Sequence, residues 1–131
     1  MSPPEIAEVD LYAARGVPFT DTTYFEGQDY SSSTFRVEIR HYRDAPGAPL
    51  IPLDTVSGTA EGVSVSVTTE NGLPVSAVTI RINETTIEGL QYTSPRGGDL
   101  RLQYALDVTG GGFGKHRRMQ GAFIVGASAN G

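Results

Sequence analysis

Between Leu100 and Val108 every second residue is apolar. Leu100, Leu102, Tyr104, Leu106 and Val108 alternate with Arg101, Gln103, Ala105 and Asp107. That period of two sends one row of side chains to a core and the other toward water, the mark of a half-buried β-strand. A glycine-rich turn follows, and a second run ends in Gly121, Phe123 and Val125. The unit reads as a long closing β-hairpin, and the rest of the chain repeats its grammar.

At 131 residues the chain reads as one domain, 1–131, long enough to bury a core without staples. It has no cysteine, so neither a disulfide framework nor a thiolate metal site is available. The formal net charge of −5 gives no basic footprint for nucleic acid. The start, MSPPEIAEVD, lacks the basic and apolar segments of a secretory signal. The longest weakly polar run, 121–129, is far short of the ~20 residues that span a bilayer, so no membrane contact is expected. Sixteen glycines and eight prolines spread along the chain suit many short strands and turns.

Residues 6–13 and 17–25 read as strands parted by a turn at Arg15-Gly16, and 27–33 as a polar loop. Phe35, Val37 and Ile39 alternate with Arg36, Glu38 and Arg40; a turn follows at Asp44-Ala45-Pro46-Gly47. Residues 50–53, bounded by Pro49 and Pro52, read as a short edge strand. Val63, Val65 and Val67 lead to Asn71-Gly72, a strong type I′ hairpin signal, and Val78, Ile80 and Ile82 form the returning strand. Residues 84–91 are the only candidate helix, capped by Asn83 and weakened by β-branched Thr85, Thr86 and Ile87. Pro95-Arg96-Gly97-Gly98 turns the chain into the closing hairpin. The expected fold is all-β: a single antiparallel β-sandwich, immunoglobulin-like or jelly-roll-like, of about seven or eight strands with at most one short helix.

The segment 110–115 invites a phosphate-loop reading and fails it. Thr109 stands where the motif requires glycine, and His116 where Ser or Thr must follow the lysine. Lying between two strands, it offers no helix N-terminus for a phosphate and reads as a hairpin tip. Lys115, His116, Arg117 and Arg118 form the densest charge in the chain and are the candidate partner-binding residues, suited to an acidic protein, a phosphate or an anionic glycan. The competing reading is a solvated edge strand whose cations discourage edge-to-edge pairing.

His41 and His116 are the only histidines, with no HExxH, DxDxDG or compact His/Asp cluster, so no metal or other cofactor is expected. No GxSxG elbow marks a nucleophile, so no catalytic residues are assigned. A sugar hydrolase would need carboxylates paired in space, and Glu26, Asp29, Glu38 and Asp44 read as solvated charge. Asn83-Glu84-Thr85 fits the N-glycosylation triplet without an accompanying secretion signal. Of the six tyrosines, Tyr104 belongs to the apolar row. Tyr30, Tyr42 and Tyr92, at loop or strand ends, are the candidates for stacking on sugar or anchoring an interface.

With the strands placed, the chain resembles the small β-sandwich virion proteins of tailed bacteriophages, including the N-terminal domain of baseplate upper proteins. The resemblance rests on Arg15-Gly16-Val17-Pro18-Phe19, on the strand Phe35 to Arg40 that ends in a basic residue, and on the closing strands Tyr104 to Val108 and Gly121 to Val125. It spans about residues 10 to 126. The chain departs from it in stopping after one domain and in its longer hairpin tip.

The resemblance implies a non-enzymatic structural protein of the virion, a tail or baseplate adaptor or a head-surface decoration, assembled in the cytoplasm of a bacterial host. Its partners would be other virion proteins and further copies of itself. The arm at about 1–6 and the small-residue tail at about 126–131 are the segments expected to order on assembly. The alternative is a carbohydrate-binding module that recognises a glycan through exposed tyrosines.

Overall fold

The computed structural model describes residues 6–14, 16–43, 45–57, 60–90, 100–110 and 113–126. Most of the expected arm and tail, Arg15, Asp44, Tyr92 and the turn at 95–98 lie outside the described residues. Among those described, the elements run in the order β1 (Ala7–Glu8), β2 (Leu11–Ala14), β3 (Phe19–Glu26), β4 (Thr34–Arg40), β5 (Ile51–Asp54), β6 (Gly62–Glu70), β7 (Leu73–Ile82), α1 (Glu84–Glu88), β8 (Leu100–Gly110) and β9 (Phe113–Gly126).

The alternation of β8 fixes the larger sheet. Its apolar row is buried, and it pairs antiparallel with β9 on one side and with β4 on the other. The short strand β5, with Pro52 opposite Glu38, forms the outer edge beyond β4, where a residue lacking an N–H is tolerated. The second sheet has the order β3-β7-β6, antiparallel throughout. Its hairpin turns at Asn71 and Gly72, with φ of 52° and 79°, the double positive φ that the sequence signal requires.

The two sheets form a β-sandwich with the expected all-β character. Its strand order is that of an immunoglobulin variable-type sandwich: β3, β7 and β6 take the places of B, E and D, and β2, β9, β8, β4 and β5 those of A′, G, F, C and C′.

The first two strands depart from the antiparallel expectation, because both run parallel to β9. What reads in sequence as one strand over 6–13 breaks at Val9-Asp10. The Val9 N–H donates to the Gln120 carbonyl at 3.0 Å, and the Asp10 carboxylate accepts from the Ala122 N–H at 3.0 Å. At that break the Val9 carbonyl lies so close to Gly121 that any Cβ there would overlap it. The N-terminal strands thereby cover the β9 edge, which would otherwise stay open to pairing with another chain.

Between the sheets, Phe19 meets Phe123 edge-on at 5.3 Å between ring centroids. Tyr30 sits edge-on to both Phe25 (5.9 Å) and Phe35 (6.1 Å). Edge-on pairs match the positive ring rim to the negative ring face, and each adds about 0.5–1.5 kcal/mol beyond burial. The helix is shorter than the sequence suggests, a single turn held down by fully buried Ile87. The Asn83 side chain makes no capping hydrogen bond; instead its backbone N–H donates to the Glu61 carboxylate at 2.7 Å.

Candidate functional site

The basic run lies on β9, and a single irregularity decides where its side chains go. Leu106 pairs with Met119, but Asp107 pairs with Arg117, so Arg118 is an extra residue, a β-bulge. Strict alternation back from Phe123 and Met119 would bury Arg117. The inserted residue reverses the parity, so that Arg117 faces outward and His116, opposite buried Val108, faces the core.

The run is therefore not a solvated stretch of four charges. His116 is only 8% exposed. Its Nδ1–H donates to the Gly114 carbonyl at 2.8 Å, and in that tautomer Nε2 accepts from the Tyr30 hydroxyl at 3.2 Å. Arg118 is half-buried, with its guanidinium 4.6 Å from the centre of the Phe25 ring. Lys115 and Arg117 lie on the outer face, opposite Thr109 and Asp107. Arg117 donates from Nε to the Asp107 carboxylate at 2.9 Å.

Tyr30 corrects a second expectation. Placed by the sequence in a polar loop with an exposed ring, it is fully buried. Its backbone N–H donates to the Ser76 hydroxyl at 2.9 Å, and that hydroxyl donates to the Gln28 carbonyl at 2.7 Å. Burial pushes its hydroxyl pKa up, against an opposing pull from the Arg118 guanidinium. The loop thus folds inward around one aromatic anchor that its polar neighbours conceal.

The outer face of the larger sheet carries a groove of about 270 Å³. Gln103 and Ala105 contribute from β8, Asp107, Arg117 and Gln120 flank it on one side, and Glu38, Arg40, Tyr42 and Arg43 on the other. Arg40 is held in place by three acceptors: the carbonyls of Ala45 (2.9 Å) and Gly47 (2.6 Å) and the Glu38 carboxylate (2.8 Å). The Arg40 guanidinium, with help from Arg36, holds the Glu38 carboxyl below its ordinary pKa despite partial burial. Arg36 also donates to Asp54 at 2.8 Å. Arg43 is the least restrained of these arginines, reaching Glu8 only at 3.8 Å. Of its residues only Tyr42 and Arg117 stand out in the sequence, because the site is built from alternate residues of three strands and one loop.

Charge divides unevenly between the layers. Arg36, Arg40, Arg43, Arg101, Lys115, Arg117 and Arg118 belong to the larger sheet and its loops, among Glu8, Asp10, Glu38, Asp54 and Asp107. On the smaller sheet, α1 and their connections, Arg81 is the only described cation, against Asp21, Glu26, Glu61, Glu70, Glu84 and Glu88.

Tyr12, Tyr24 and Tyr42 are exposed, but on different elements: β2, the outer face of β3, and the β4–β5 connection. Tyr104 is buried as expected, its hydroxyl donating to the Val9 carbonyl. Among the described residues no group of three or more His, Cys, Asp or Glu side chains could hold a metal ion. No helix among them is long and apolar enough to cross a membrane. No protein-family model matches the chain, and no curated protein matches it either.

Proposed function

We propose that this chain is a non-enzymatic structural protein of a bacteriophage virion, an adaptor of the tail or baseplate or a decoration of the head, acting through protein–protein contacts. The observation that carries the reading is the arginine-lined groove on the outer face of the larger sheet. Arginine and tyrosine together on a rigid sheet suit a protein interface: planar guanidinium groups bind carboxylates bidentately, and the phenol ring brings contact area at little entropic cost. Lys115 and Arg117 extend this face, so the partner-binding role expected of the basic run passes to these two and to Arg40 and Arg43.

The test is quantitative mass spectrometry of particles purified from the strain that carries the gene. The chain should appear in many copies per particle and stay bound through a density gradient. Its absence from purified particles would overturn the reading.

A second reading, recognition of a glycan, is favoured by one observation: Tyr42, 59% exposed, borders the groove beside Arg43. Binding to an immobilised anionic sugar that Tyr42→Ala abolishes would support it.

A further inference from the structure

Tyr24 stands on the outer face of β3, 67% exposed, above a floor of short side chains. Its cross-sheet neighbours are Ala77 and Ser66, and Thr22 precedes it on the same face. Beyond it along that face come Glu26 and, two strands across, Glu70 beside exposed Leu73. An aromatic knob with an acidic rim thus projects from one face of the sandwich, while an arginine-lined groove of about 270 Å³ opens on the opposite one.

We propose that the chain associates with copies of itself head to tail, the Tyr24 face of one molecule docking on the Arg43 groove of the next. Charge decides between this geometry and a two-fold dimer. Groove against groove would oppose two net-positive faces, since Arg40, Arg43 and Arg117 outnumber Glu38 and Asp107 there, and knob against knob would oppose two net-negative ones, where Glu26 and Glu70 outnumber Arg81; like net charges across an interface are repelled. Knob on groove opposes unlike net charges, and the docking of an exposed aromatic ring of this kind buries roughly 150–250 Å². Because the two patches differ, the contact is heterologous and generates a ring or a filament. This rests on the reading of the chain as a multi-copy structural protein and names one of its partners.

The test is light scattering of the full chain over a concentration series, at low and at high salt. Wild-type mass should grow past the dimer at low salt, and high salt should weaken the association because these charges lie at the surface. Tyr24→Ala and Arg43→Glu should each weaken it at least about thirtyfold, the effect of removing an interface anchor. Mixed together, the two variants should form a 1:1 dimer that grows no further, since each retains one intact face. Glu26→Lys probes the knob face independently of the ring, and melting curves verify that each variant is folded.

A wild-type chain that stays monomeric up to about 1 mM, an oligomer that all three variants leave intact, or variants that fail to pair on mixing would each overturn the proposal. Particle composition separates this from the virion reading. A monomeric chain abundant in particles overturns only self-association, whereas a self-assembling chain absent from particles overturns only the virion role.

Discussion

Tyr30 and His116 stand 86 residues apart in the chain and share a hydrogen bond in the core. Neither placement was legible locally: Tyr30 sits among polar loop residues, and His116 within a run of cations. A signal for the histidine did exist. Counting inward positions back from Val125 through Phe123, Gly121 and Met119 puts Arg117 in the core, a conflict that one inserted residue removes. Replacing Tyr30 by Phe keeps the edge-on ring contacts and deletes only the hydroxyl. It should cost about 1–2 kcal/mol of unfolding free energy in urea, the penalty for depriving a buried ring nitrogen of that bond. An unchanged midpoint would mean the bond contributes nothing to stability.

Strands with clean alternation were readable, because burial of one face imposes the period directly: β4, β6, β7 and β8 all lie where the pattern places them. The parallel pairing of β1 and β2 was not, because register and direction at an edge depend on which chain end reaches it. Two glycines separate the costs involved. At Gly72, φ is +79° and no atom lies within 4 Å of an added Cβ, so Gly72→Ala meets backbone strain alone and should cost about 1 kcal/mol. At Gly121 the same substitution must push Val9 and the N-terminal strands away from β9. Gly121→Ala should cost about 2–4 kcal/mol in urea and raise amide exchange selectively across residues 7–14. Equal costs for the two variants would contradict this account of the edge.

Across the whole molecule, ionisation confines stability to a pH window. Tyr104 is raised well above the ordinary tyrosine value, by burial first and then by the Asp21, Asp10 and Glu8 charges, and Tyr30 is raised by burial. The unfolded chain therefore ionises first, so the stability these groups contribute is intact below about pH 10 and is lost as pH climbs beyond it. Glu38 is depressed, chiefly by Arg40, so its contribution is present above its ordinary value of about 4.3 and is lost as pH falls further. Melting temperatures should form a plateau between these limits and decline on both sides.

The sandwich itself was legible from strand spacing and turn chemistry, whereas the groove was not, since its residues converge only once β4, β8 and β9 lie side by side. The claim that this outer face carries the protein's contacts is tested most directly by hydrogen exchange of the chain free and within purified particles. Protection on binding is expected across 36–43, 101–109 and 115–120. Unchanged exchange over those segments, with protection confined elsewhere, would contradict it.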